Sequence, residues 1–168
     1  MSRPTVMETL RQEHAKLTMM LDLLENQVAI LRQGEAVEFA SMGGIVDYFL
    51  TYPDLVHHPK EDVLFHRLRK VDPAAAIKVE RLPSGHEELG LLARRVARAM
   101  ADHLLQGTAE TRLWYVSLSQ DFIYMNRRHM AAEEQLFFPE ALRVLSEADW
   151  VAVDRKIGGR DDPLFDSI

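Results

Sequence analysis

The sequence predicts an all-α protein, an up-down-up-down four-helix bundle with a short extra C-terminal helix. Three observations carry that reading. Apolar residues recur at helical spacing over long stretches, turn signals separate four such stretches, and no stretch alternates as a strand would. Short turns between long helices favour antiparallel neighbours. Of the 168 residues 47% are apolar, which suits one domain with its own core and is too rich for a disordered chain. Residues 1–168 are read as that single domain, with 158–168 as a short tail.

The first helix follows Pro4, with Leu10, Leu17, Leu21, Leu24, Val28 and Leu31 in helical register and Gly34 ending it. A second is expected from near Ala36, through Ile45, Phe49 and Tyr52, toward Leu68. Pro53 and Pro59 should kink or briefly break it, since each removes a backbone donor and crowds the preceding turn. Asp72-Pro73 signals a helix start. The segment from Pro83 to Gly85 should bend or break the chain, with Ser84 capping a third helix from Gly85 to about Gln106. Gly107 and Thr108 form the next turn, and a fourth helix is expected over roughly Ala109 to Leu145. Ser146 with Asp149 resembles a capping arrangement for a terminal helix over Glu147 to Ile157, closed by Gly158-Gly159.

Composition excludes several classes. With 26 acidic against 20 basic residues the net charge is −6, which argues against nucleic acid as a partner. The chain has no cysteine, so disulfides and thiolate metal sites are excluded and any metal must take nitrogen and oxygen donors. Arg3, Glu8, Arg11, Glu13, His14 and Lys16 leave no room for the apolar core of a signal peptide, and no later stretch approaches a membrane span. The expected address is cytoplasmic, without a membrane partner.

The informative residues are His14, His57, Glu61, His86, His129 and Glu133. They fall one, two, one and two to the four long helices. Helical residues four apart differ by about 40° of rotation and share a face. His57 with Glu61, and His129 with Glu133, can therefore each aim an imidazole and a carboxylate at one interior point. A lone buried histidine is more often a hydrogen-bonded core residue than a ligand, and one His-x-x-x-Glu pair is weak. Two matched pairs plus one histidine on each remaining helix are much harder to obtain by accident. The mixed donor set suits iron or manganese better than calcium, and zinc accepts it.

His58 lies three residues before Glu61 and competes with His57, although the spacing match with His129 and Glu133 favours His57. His66 and His103 have no carboxylate at ligand spacing on an inward face and receive no role. Arg94, Arg95 and Arg98 read as a solvated face, and Met19, Met20 and Met125 as core filler. Tyr48, Tyr52 and Tyr124 are candidates for a hydrogen bond behind the site.

The run Tyr52-Pro53-Asp54-Leu55-Val56-His57-His58-Pro59-Lys60-Glu61-Asp62 resembles the second-helix signature of bacterial hemerythrin-like (HHE cation-binding) domains. The run His129-Met130-Ala131-Ala132-Glu133-Glu134-Gln135-Leu136-Phe137-Phe138-Pro139 is similar to their fourth-helix signature. Glu13-His14 and His86-Glu87-Glu88-Leu89 resemble the first- and third-helix motifs, and Asp162-Pro163-Leu164-Phe165 resembles the ending of a bacterial subgroup. The resemblance implies a di-iron centre, bridged by an oxo or hydroxo group, with zinc or manganese as substitutes. It implies His14 and His57 on one iron, His86 and His129 on the other, and Glu61 and Glu133 bridging both. Hemerythrins that carry oxygen reversibly generally have a further histidine one turn beyond the third-helix one. Gly90 stands there, which leaves the second iron short of a nitrogen. Glu87, about 100° from His86, is a poor substitute.

The expected function is binding of iron and a small ligand (oxygen, peroxide or nitric oxide) for sensing, storage or stress response, rather than catalysis. Weak di-iron peroxidase or oxidase chemistry is the enzymatic alternative, though no residue stands out as a dedicated acid or base. A helical signalling module without redox role is the interaction-class alternative, and it leaves the matched positions unexplained.

Overall fold

Helix α1 (Thr5–Arg32) turns Val6, Met7, Leu10, Leu17, Leu21, Leu24, Val28 and Leu31 inward, the stripe read from the sequence. It stops just before Gly34, whose φ of 83° is one that residues with a Cβ resist. The computed structural model describes residues 5–158, and these fold as helices joined by turns. Helix α2 (Phe39–Tyr52) starts three residues later than expected. It then passes without a break into a π turn (Pro53–His57) and helix α3 (His58–Val71).

The prolines cause that turn. Pro53 has no N–H for the carbonyl of Phe49, and Pro59 none for that of Leu55. The chain accommodates both losses by widening, and the amide of His58 donates to the Pro53 carbonyl five residues back. The expected break is thus a local loosening.

Asp72 caps α4 (Pro73–Ile77), its carboxylate accepting from the Ala75 amide at 3.0 Å. Helix α5 (Leu82–Gln106) corrects the expected capping by Ser84. It begins before Gly85, and the Ser84 hydroxyl donates back to the Arg81 carbonyl at 2.9 Å. Pro83 sits in the first turn, where a missing N–H costs nothing. Gly107 takes φ 63°, and Thr108 accepts from the Thr111 amide to open α6 (Ala109–Ala132).

The fourth run is also not one regular helix. A second π turn (Glu133–Phe137) leads into α7 (Phe138–Val144), with the Phe138 amide donating to the Glu133 carbonyl. Pro139 stands to this turn as Pro59 does to the first. Ser146 and Asp149 form a reciprocal capping box at the start of α8 (Glu147–Ile157). Among the described residues there is no strand, and no helix is long and apolar enough to cross a membrane. The tail motif at 162–165 and Gly159 lie outside the described residues.

The four long runs close a ring. α1 packs on α6, α6 on α5, α5 on α2, and α2 with α3 returns to α1, while α8 seals one end against α1 and α3. The apolar interior comes in two clusters. One gathers Leu17, Leu21, Tyr52, Val96 and Phe122; the other gathers Leu10, Leu64, Phe137, Phe138 and Trp150. Between Leu10 and Leu17, and between Pro53 and Leu64, the buried positions are polar, and the two clusters flank that layer.

Candidate metal centre

The structure brings His14, His57, Glu61, His86, His129 and Glu133 together between the two apolar clusters. Glu61 and Glu133 are almost completely enclosed, at 2% and 1% exposure. Each sends its two oxygens in different directions. Glu61 Oε1 lies 3.6 Å from His14 Nε2 and 3.5 Å from His57 Nε2, while its Oε2 lies 3.3 Å from His86 Nε2. Glu133 Oε2 lies 3.4 Å from His14 Nε2, while its Oε1 lies 3.5 Å from His86 Nε2 and 2.8 Å from His129 Nε2. One half of the centre therefore holds His14 and His57, and the other holds His86 and His129. Each carboxylate faces both halves.

Sequence reasoning left His57 and His58 as competitors, and the structure places both inside. Neighbours on an α-helix point about 100° apart, but the π turn that ends at His57 narrows that angle, and both rings are buried. His58 joins Glu61, His86 and His129 in a group whose donor atoms lie within 4.8 Å of one another, and His14, His57 and Glu61 form a second such group. Its ring lies parallel to that of His86 with centroids 3.8 Å apart.

The outer nitrogens of three rings are already engaged. His14 Nδ1 donates to Glu134 at 3.1 Å, His57 Nδ1 to Glu13 at 2.9 Å, and His58 Nδ1 to Asp54 at 3.1 Å. A carboxylate can only accept, so each Nδ1 carries the proton and each Nε2 is the atom left to face the interior. Glu13 is in turn paired with the buried ammonium of Lys60. Sequence reasoning gave these acidic neighbours no role, although Glu13, Asp54 and Glu134 all stand within the hemerythrin-like motifs.

The inner atoms are a different case. His14 Nε2, His86 Nε2, His129 Nε2 and all four oxygens of Glu61 and Glu133 are buried without a hydrogen bond. Such groups are costly unless something compensates them. With only protons to balance the carboxylates, the site draws those protons in. Burial by itself depresses His14, but Glu133 and Glu61 outweigh it and push the ring up to about 10. The same balance pushes His86 up to about 9. His58 goes the other way, to about 2, because burial and then the neighbouring imidazoles of His86 and His57 oppose its protonation. Burial raises Glu61, yet the surrounding imidazoles leave it below the usual carboxylate range. The cavity is built for positive charge.

Residues 5–141 match the sequence model of the Hemerythrin HHE cation binding domain. The chain belongs to that family. Among curated proteins, none matches it. The chain is a hemerythrin-like metal-binding protein, and its His/Glu cluster is the place among the described residues where donors of the right kind converge.

The other candidates fall away from this centre. His66 is exposed and faces its own helix at the Asp62 carbonyl, and His103 bonds Thr111 across the α5–α6 turn. Arg94, Arg95, Arg98 and Glu87 are exposed. Met20 packs against the core, but Met19, read as core filler, is 47% exposed, because it lies off the inward stripe of α1. Tyr124 is exposed, and Tyr48 stacks on Tyr52 in the core with centroids 4.8 Å apart.

Proposed function

We propose that the protein is a non-haem di-iron protein, an up-down-up-down bundle whose centre binds iron and a small ligand such as oxygen, peroxide or nitric oxide. His14 and His57 hold one ion, His86 and His129 hold the other, and Glu61 and Glu133 bridge them. One observation carries this reading: Nε2 of His14, His86 and His129 and all four oxygens of Glu61 and Glu133 are buried and unpartnered, while acids fix the outward nitrogens of His14, His57 and His58. Imidazole and carboxylate donors without thiolates suit iron, with manganese or zinc as substitutes. When bound, the metals supply redox-active, Lewis-acidic positions for a small ligand. Two carboxylates offset half the charge of two divalent ions and fix their spacing.

The chain contributes access and shielding. A surface groove of about 380 Å³, lined by Arg11, His14, Thr18, Arg127, Met130 and Glu134, reaches the ring of His14 and is the route for a small ligand. Among the described residues no side chain near the centre is placed as a dedicated acid or base, which favours binding, sensing or storage over catalysis. The expected setting is cytoplasmic.

Anaerobic reconstitution with ferrous iron is the test. Two irons per chain are expected, with oxo-bridge absorption after exposure to air and a spectral change on adding azide or nitric oxide. An ion that binds only the folded state raises its stability by about 2.7 kcal/mol at about 100 times its Kd. For a chain of this size that is a rise in Tm of roughly 5–10 °C. A chain that takes up no iron, and melts identically with and without it, refutes the reading.

A further inference from the structure

We propose that His58 is a third nitrogen donor of the second metal position, beside His86 and His129, and supplies what position 90 does not. The inference rests on the two-metal reading above and adds a residue to it. His58 is buried, its Nδ1 is tied to Asp54 at 3.1 Å, and its ring lies within the group formed with Glu61, His86 and His129. The acid on Nδ1 leaves Nε2 as the donor, as it does for His14 and His57.

Gly90 explains why the donor comes from the second run. A Cβ at position 90 would lie 3.4 Å from Asp54 Oδ2 and 3.6 Å from Arg94 Nη1. The space beside it is a cavity of about 10 Å³, lined by Pro53, Asp54, His58, Leu89, Gly90 and Phe122 among others. That holds about one water and no imidazole. The resemblance implies a nitrogen missing at position 90; the structure shows the Asp54–His58 pair beside that position. A methyl at position 90 would only touch Asp54, but a larger side chain would crowd this pair, and the π turn before His58 is what rotates its ring inward.

The stacking of His58 on His86 offers a competing role as a spacer. A nitrogen lone pair lies in its ring plane, so two parallel rings converge on one ion only after tilting apart. His58→Phe separates the roles, since phenylalanine keeps a ring against His86 and offers no nitrogen. Metal-free full-length chain is titrated with cobalt(II) alone, reading stoichiometry and the visible ligand-field spectrum.

Wild type is expected to bind two ions. His58→Phe and His58→Ala should each keep the first ion at wild-type affinity and bind the second about 100-fold more weakly or worse, beyond the effect of losing a hydrogen-bond partner to a ligand. Added imidazole should restore the second ion to His58→Ala. Two ions with a wild-type spectrum in His58→Phe would make His58 a spacer and overturn the proposal while leaving the two-metal reading intact. Loss of both ions in His58→Phe would also overturn it, because His58 would then not belong to the second position alone. Wild type that binds fewer than two ions overturns the proposal together with the reading beneath it.

Discussion

The two halves of the centre are held by different means. Around His14 and His57, charge sets position. Both rings donate to carboxylates, Glu13 is anchored by the enclosed ammonium of Lys60, and Phe138 lies nearly parallel to the His14 ring at 5.4 Å. Around His58, His86 and His129, shape sets position. The nearby acids are half in solvent, with the Asp54 and Asp62 side chains 50% and 47% exposed and Asp62 3.8 Å from His86. Apart from the Asp54 bond to His58, what locates these rings is stacking and the absence of a side chain at Gly85. A ring bonded to a buried carboxylate has one tautomer and one orientation before any ion arrives. A ring placed by clearance can still tilt. The first half should therefore answer to changes of charge and the second to changes of volume.

The largest effect is expected where the halves meet. Glu61 and Glu133 each turn one oxygen toward either side, so removing either carboxylate should empty both positions rather than one. Glu61→Ala and Glu133→Ala are each expected to take the metal content from two ions toward none, measured by elemental analysis after reconstitution. Full retention of two ions in either variant would mean that the carboxylate does not bridge, and the division into halves would lose its common wall.

A smaller and one-sided effect belongs to Gly85. A Cβ there would lie 2.9 Å from both Cε1 and Nδ1 of His129, closer than real carbons approach. The ring must move, and it is the ring that faces Glu133. Gly85→Ala should weaken the second ion by about 10- to 100-fold, the range for disturbing a ligand's support, and leave the first ion unchanged. Alanine favours helix over glycine by about 1 kcal/mol, so the metal-free Tm should hold within a few degrees. A titration showing equal weakening at both positions would refute the claim that shape governs one half only.

This contrast also marks what the sequence disclosed. Spacing of three and four located the stripe of α1 and the Ser146–Asp149 box, and the Asp72-Pro73 dipeptide located the start of α4, because each depends on regular helix geometry or on local hydrogen bonds. The same geometry picked out His57 with Glu61 and His129 with Glu133. It left His57 and His58 as competitors, since choosing between two adjacent histidines assumes a 100° step, and the π turn after Pro53 changes that step. It failed for the same reason at Glu133–Phe137, where Pro139 loosens a helix that reads as continuous. Glu134 and Asp54 stayed hidden because their partners are imidazoles whose ring orientations no spacing rule fixes. Gly85 is legible only once the element opposite it is in place, as clearance is a property of two elements.

The smallest effect, and the sharpest check on the charge-governed half, is expected at Glu134. Its carboxylate accepts from His14 Nδ1 at 3.1 Å and from Arg11 Nε at 3.2 Å, and its side chain is 35% exposed. Glu134→Gln keeps the shape and an oxygen able to accept from Nδ1, but removes the charge that makes the imidazole a stronger donor through Nε2. The expected cost is about tenfold in affinity at the first position, the low end for such partners, with the second unchanged. Stability should barely move, because a solvent-exposed Arg–carboxylate pair is worth about 0–1 kcal/mol. Glu13 would be a poorer probe, since neutralising it strands the enclosed Lys60 and costs about 3–5 kcal/mol of stability, which confuses folding with binding. Titration of Glu134→Gln beside Gly85→Ala then gives two variants with opposite addresses, one weak at the first ion and one at the second. If both weaken the same ion, charge and shape are not divided between the halves as their contacts indicate.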